Sequence, residues 1–141
     1  MSITGISTID NAPHDVNDWL KQLRARLDWT ENGRAYLLMR TVLHAVRDWL
    51  TVDEAAQLAA QMPILVRGIY YEGWDPSRTP VHPRSKSDFV ARVDHAFTKE
   101  PLEDTEKAIT AVFGLLEATI SAGEIADVKH AMRANIQELW P

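Results

Sequence analysis

The sequence contains no cysteine. Disulfide scaffolds and thiolate metal sites are thereby excluded, and a reducing compartment, the cytoplasm, is the expected setting. Long apolar runs are also missing: no stretch approaches the roughly 18–20 continuous apolar residues that span a bilayer. The N-terminus reads MSITGISTIDNAPHD, with no basic start, no apolar core of leader length and no small-residue cleavage pattern. Neither a secretory leader nor a membrane partner is expected. Positive charge is in deficit too. Lys and Arg number 15 against 20 Asp and Glu, a formal charge of −5, and neither half of the chain is basic. That is the wrong sign for a general nucleic-acid binder, whose affinity comes from neutralising phosphates.

The chemical motifs that would announce an enzyme are absent as well. There is no G-x-S-x-G elbow, no Walker-type phosphate loop and no H-E-x-x-H zinc helix, so no catalytic residue, cofactor or metal ligand is assigned. The five histidines are scattered. His44 lies beside the apolar positions Leu43 and Ala45 and reads as a partly buried structural residue. Glu103, Asp104 and Glu106 cluster where a helix starts, and negative charge there complements the helix dipole.

What is present is helical periodicity over 141 residues, 45% of them apolar, enough for one globular domain with a real core. Residues 1–12 lack a pattern and read as a flexible arm. From Pro13 onward, Val16, Trp19, Leu20, Leu23 and Leu27 recur at three and four, marking one buried helix face. After a break at Thr30–Gly33, Met39, Val42, Leu43, Val46 and Leu50 form the next stripe. Thr51 with Glu54 matches a capping box, in which hydroxyl and carboxylate each satisfy a free amide of the first turn. An Ala-rich helix follows, and Pro63, tolerated in a first turn, opens a short fourth one. Three prolines and a glycine between Glu72 and Pro83 forbid regular helix, and residues 75–84 are read as a connector. The pattern then restarts. Ser85 and Asp88 make a capping pair, and Phe89, Val93 and Phe97 a helix face. Ile109, Val112, Phe113, Leu116 and Ile120 form the following stripe. Ser121 and Glu124 make a second capping box, before Ile125, Val128, Met132, Ile136, Leu139 and Trp140.

These two series align without a gap when shifted by 70 positions. Trp19 meets Phe89, Leu43 meets Phe113, Met62 meets Met132 and Tyr70 meets Trp140. Large apolar residues coincide about twice as often as chance allows. Because helical periodicity inflates such a score, the caps matter more: Asp15/Asp18 falls on Ser85/Asp88, and Thr51/Glu54 on Ser121/Glu124. The expected fold class is therefore all-α, a tandem duplication of a roughly four-helix unit (13–74 and 85–141) forming a pseudo-twofold helical bundle.

The run Met62-Pro63-Ile64-Leu65-Val66-Arg67-Gly68-Ile69-Tyr70-Tyr71-Glu72-Gly73-Trp74-Asp75-Pro76 resembles the centre of the bacterial family catalogued as domain of unknown function 2267. Phe89-Val90-Ala91-Arg92-Val93, Gly123–Val128 and the terminal Leu139-Trp140 carry the same resemblance. It implies a helical fold and brings no activity or catalytic residue. One step departs from the family pattern: where a Leu-Pro pair opens the last helix of each half, the second half here has Met132-Arg133.

The most distinctive constellation is Arg67, Tyr71, Glu72, Trp74 and Asp75, because aromatics beside charges are typical of binding hot spots. Its structural alternative has Trp74 pinning the connector and Arg67 pairing with Glu72 or Asp75. Arg78, His82, Arg84, Lys86 and Arg92 form a local basic run, read mainly as a solvated linker; nucleic acid is not the partner expected for a chain of this charge. The favoured function is a non-enzymatic protein-interaction or structural module, with an unknown protein partner or self-association. The alternative is a small-ligand-binding or regulatory module with a cleft between the repeats near Trp74.

Overall fold

The computed structural model describes residues 2–82, 84–132 and 134–141. Among them every regular element is helical and none is a strand. In chain order the elements are α1 (Ser7–Asp10), α2 (Ala12–Leu27), α3 (Asn32–Trp49), α4 (Val52–Ala59), α5 (Ile64–Tyr71), a 3₁₀ turn (Pro76–Arg78), α6 (Lys86–His95), α7 (Thr105–Thr119), α8 (Ala122–Ala131) and α9 (Ala134–Gln137). The family step at Met132-Arg133 falls partly outside the described residues, as does Pro83 of the connector.

Helical order begins earlier than the apolar pattern does. Residues 7–10, read as part of an arm without pattern, form the turn α1. Its cause is polar and so invisible to a hydrophobic count. The Asp10 carboxylate accepts from the Thr4 amide and hydroxyl (both 2.9 Å), the Ser2 hydroxyl (2.9 Å) and the amides of Ile3 and Gly5. These bonds, the Thr4 amide foremost and against the opposing effect of burial, lower the Asp10 pKa to about 2. Helix α2 then starts at Ala12 with Pro13 in its first turn, where a missing N–H costs little. Asp15 therefore sits inside the helix and is not the cap that pairing with Ser85 implies.

The remaining boundaries follow local chemistry. Helix α2 ends where Asp28 takes a left-handed conformation (φ 56°), which short polar side chains tolerate better than most. The Thr51/Glu54 box opens α4 and the Ser85/Asp88 box opens α6, each with both reciprocal bonds present. At α8 only half of the expected box forms. Ser121 Oγ accepts from the Glu124 amide at 3.3 Å, but the Ser121 amide donates to Gln61 Oε1 at the end of α4 (3.2 Å). A tertiary contact has taken the place of the carboxylate.

One core runs through the described residues. Leu23, Leu38, Met39, Leu43, Leu58, Tyr70, Phe89, Ile109, Phe113 and Leu116 are fully enclosed, each worth about 1.5–3 kcal/mol of burial. Phe89 sits at its centre. It meets Trp49 edge-on (5.3 Å between centroids) and Phe113 at a tilt (6.0 Å), while Phe113 stacks on Trp140 (4.2 Å). Helix α2 packs on α3, α5 and α7; α3 packs also on α6 and α7; α4 meets α8.

Candidate functional site

The segment singled out in the sequence folds into a clasp. Helix α5 is short and ends at Tyr71; left-handed Gly73 (φ 73°) then turns the chain so that the Trp74 amide donates to the Tyr71 carbonyl at 3.0 Å, and other carbonyls of the last turn are left for side chains to satisfy. Helix α3 supplies the donors from three positions of one face. His44 Nε2 lies 2.6 Å from the Ile69 carbonyl, and Arg47 Nη1 donates to the carbonyls of Tyr70 and Glu72, both at 2.9 Å. Arg40 Nε donates to the Glu72 carboxylate at 2.9 Å. The two arginines also face the negative end of the α5 dipole.

Arg47 is 4% exposed and could not be buried without a counter-charge. Asp48 provides it, accepting from Arg47 Nε at 2.8 Å and from Arg92 Nη2 of α6 at 2.7 Å. Burial raises the Asp48 pKa, but the bonds from Arg47 and Arg92 outweigh it and hold the carboxyl below its usual range. The His44 pKa is lowered, first by burial, against the bond to Ile69, and further by the Arg47 and Arg40 charges.

The five candidate residues make separate local contacts. Arg67 pairs with neither Glu72 nor Asp75. Its Nε donates to the Ala59 carbonyl (2.9 Å) and its Nη2 to that of Met62 (3.0 Å), closing the carboxyl end of α4. Helix α5 turns back on α4 after Pro63, and that turn brings Arg67 over the end of α4. Glu72 is held by Arg40. Asp75 caps the 3₁₀ turn through Ser77 and pairs with Arg78 at 3.4 Å. Tyr71 and Trp74 stack on each other at 5.2 Å. The structure joins Glu72 and Arg40 but does not gather the five into one pocket.

The basic run is also engaged internally. Arg84 donates to the Trp49 carbonyl, Lys86 pairs with Glu106 and Glu138, and Arg92 with Asp48. Among the described residues no group of three or more His, Asp or Glu is placed to hold a metal ion, and no helix is long and apolar enough to cross a membrane.

The principal clefts lie elsewhere, none of them lined by Trp74. Two meet at Arg34, near the start of α3. Its guanidinium stands 5.0 Å from the Trp29 ring and 5.1 Å from the Phe97 ring, a double cation–π arrangement. It also donates to the carbonyls of Glu100 (2.9 Å) and Pro101 (3.2 Å). Arg34 thus ties the loop after α2 to the loop after α6. The first cleft, about 440 Å³, has Leu37, Ala96 and Phe97 against Glu31, Lys99 and Glu100. The second, about 880 Å³, has Leu27, Trp29, Leu102 and Ala108 against Glu103, Asp104 and Lys107. Each mixes apolar surface with charges of both signs.

A smaller third cleft of about 230 Å³ separates α4 from α8 and is lined by Glu54, Gln57, Glu124, Asp127, Val128 and His130. Burial, and then the neighbouring Asp127, raises the Glu124 pKa. Sequence reasoning missed Arg34 because its partners come from two loops far apart in the chain. The usable signal was aromatic: Trp29 and Phe97 each stand two residues past the end of a helix, α2 and α6.

Among curated proteins no sequence matches the chain. Residues 16–139 match the family described as "Uncharacterized conserved protein (DUF2267)"; the match spans most of the chain, which therefore belongs to that family.

Proposed function

We propose that this chain is a tandem duplication folded as a pseudo-twofold helical bundle. We propose further that it acts as a non-enzymatic protein-interaction module whose recognition surface is the pair of clefts meeting at Arg34. One observation carries the reading. Shifted by 70 positions, Glu31, Gly33, Arg34 and Leu37 of the first cleft become Pro101, Glu103, Asp104 and Lys107, while Phe97 and Lys99 become Leu27 and Trp29. All six of these line the second cleft. The two clefts are thus the same junction seen from its two sides, sharing Arg34 between them.

Other pairings support the same symmetry. The contact of α2 with α7 corresponds to that of α6 with α3, and the contact of α4 with α8 maps onto itself. Arg67 donates to the carbonyls of Ala59 and Met62. At the shifted positions Gln137 Nε2 donates to those of Lys129 (2.7 Å) and Met132 (3.1 Å). A helix end is closed in the same way in both halves by residues of different type.

The charge balance favours a peptide segment over a compact anion or cation. Both clefts carry lysine and carboxylates around apolar surface, so a partner with alternating apolar and mixed-charge residues is complementary to them. The buried polar groups of the clasp, by contrast, are committed to backbone carbonyls and to one another, which suits a structural role.

The test is selection from a random-peptide display library on the folded protein, followed by binding measurements with purified peptides. Enriched peptides are expected to lose affinity in Thr98→Trp, which fills the first cleft, and in Lys107→Trp, which fills the second. Arg78→Ala, on the distant 3₁₀ turn, is expected to leave binding unchanged. Peptides that bind all three variants alike, or a selection with no enrichment, would contradict the assignment.

A further inference from the structure

Asparagine occurs at four positions, Asn11, Asn17, Asn32 and Asn135, followed in turn by Ala12, Asp18, Gly33 and Ile136. Only Asn32 precedes a residue without a Cβ. A backbone nitrogen can attack the side-chain carbonyl of the asparagine before it, and a Cβ on the attacking residue obstructs that approach. Glycine removes the obstruction.

The surroundings of this pair add three conditions that sequence alone does not show. First, Asn32 and Gly33 open α3 and both are exposed. Amides of a helix's first turn have no intrahelical acceptor, and the N-cap residue Glu31 makes no side-chain cap bond. The Gly33 N–H is therefore open to solvent base. Second, the positive end of the α3 dipole lies at this point and stabilises negative charge on the nitrogen as its proton leaves. Third, a Cβ built on Gly33 would meet nothing within 4 Å. The first turn has room to rearrange as the ring closes, and the buried part of the helix begins only at Ala35.

From these observations we infer that Asn32 is a modification site at which the chain converts, without an enzyme, to aspartate and isoaspartate through a succinimide with Gly33. The Gly33 nitrogen gives its proton to solvent base and bonds to Asn32 Cγ. The Cγ–Nδ2 bond breaks, and the side-chain nitrogen departs as ammonia after taking up a proton. One water then opens the ring at either carbonyl. Opening at the side-chain carbonyl gives aspartate, and opening at the backbone carbonyl gives isoaspartate. No oxidant or reductant is needed. Each event turns a neutral side chain into a carboxylate at the rim of the first cleft, one residue from the Gly33 that lines it and two from Arg34. The inference stands whether or not the clefts bind a partner.

Its test is peptide mapping by mass spectrometry of the full folded chain held in mildly alkaline buffer, with isoaspartate detected enzymatically. The Asn32 peptide is expected to gain one mass unit progressively, faster at higher pH, and to take up one heavy oxygen when the buffer is made with ¹⁸O-water. Asn11, Asn17 and Asn135 are expected to stay intact over the same interval, and Gly33→Ala to slow conversion at Asn32 by about tenfold or more. Gly33→Ala also favours the helix, so its folding is not in question. If Asn32 stays intact in the folded chain but converts in denaturant, the first turn of α3 protects it and the inference is wrong. Conversion at equal rates in Gly33→Ala would also overturn it.

Discussion

The proposed duplication sets the end of α5 beside the segment 70 positions later, α9 and the residues after it, and the polar chemistry of the two regions differs. At the end of α5 two side chains of α3, His44 and Arg47, close backbone carbonyls, and a third, Arg40, holds the Glu72 carboxylate. Seventy positions on, α7 offers Thr110, Gly114 and Glu117. No such ladder is possible there, and the space over Gly114 is taken by the Arg26 guanidinium, which a Cβ at that position would meet at 2.9 Å. Glu117 pairs instead with Lys129 at 2.7 Å, and Lys129 lies over the Trp140 ring. The apolar positions are kept while the polar ones are replaced. Tyr70 and Trp140 both fill the core end of their set, but the Tyr70 hydroxyl donates to Ala55 and the Trp140 indole N–H has no partner among the described residues. At these two positions the large ring is the common property and its hydrogen bonding is what differs.

Breaking the clasp in the first half should have the largest effect. Arg47→Met leaves Asp48 short of one partner and the Tyr70 and Glu72 carbonyls without their donor. The expected loss is about 3–5 kcal/mol, in line with other broken buried pairs. The matching change, Glu117→Ala, removes a partly exposed pair and should cost about 1 kcal/mol or less. Urea denaturation of the two variants checks the contrast, and equal losses would contradict it.

A smaller effect is expected at the core end of α5. Tyr70→Phe keeps the ring and removes its bond to the Ala55 carbonyl, at an expected cost of about 1 kcal/mol. Burial pushes the Tyr70 phenol well above its ordinary range, so the ring should show no ionisation in an ultraviolet titration until the protein unfolds. Titration of all three tyrosines in the folded state would refute this.

The smallest effect is one of pH. The His44 pKa lies below its unfolded value of 6.5. Between those two values the unfolded chain binds more protons, so stability is full above pH 6.5 and declines as pH falls toward the folded pKa. Thermal unfolding across that range should lose this part of its slope in His44→Gln. An unchanged slope would show that other groups set it.

Much of the fold was legible in the sequence. The apolar stripes of α3, α6 and α7 are buried as their spacing requires, that of α2 is buried at Trp19, Leu20 and Leu23 and partly so at Val16 and Leu27, and Thr51 and Ser121 both cap helices. Legibility fails where polar groups act across distance. Arg92 finds Asp48 and Arg34 finds Glu100 only because the helices pack first. Local pairing reasoning therefore assigned Arg67 the wrong partners, and it left the Arg34 junction unnoticed. The helical turn at Ser7–Asp10 escaped for the related reason that one carboxylate, and not an apolar face, organises it.

Equivalence of the two halves is most directly measured by exchanging the residues that close α4 and α8. If Arg67 and Gln137 do one job at equivalent positions, the swap Arg67→Gln with Gln137→Arg keeps both helix ends satisfied. Its stability by urea denaturation should stay within about 0.5–1 kcal/mol of the parent, while the double alanine variant loses about 2 kcal/mol, one for each end. A swap that costs as much as the double alanine variant would contradict the account, because the two positions would then not be copies of one another.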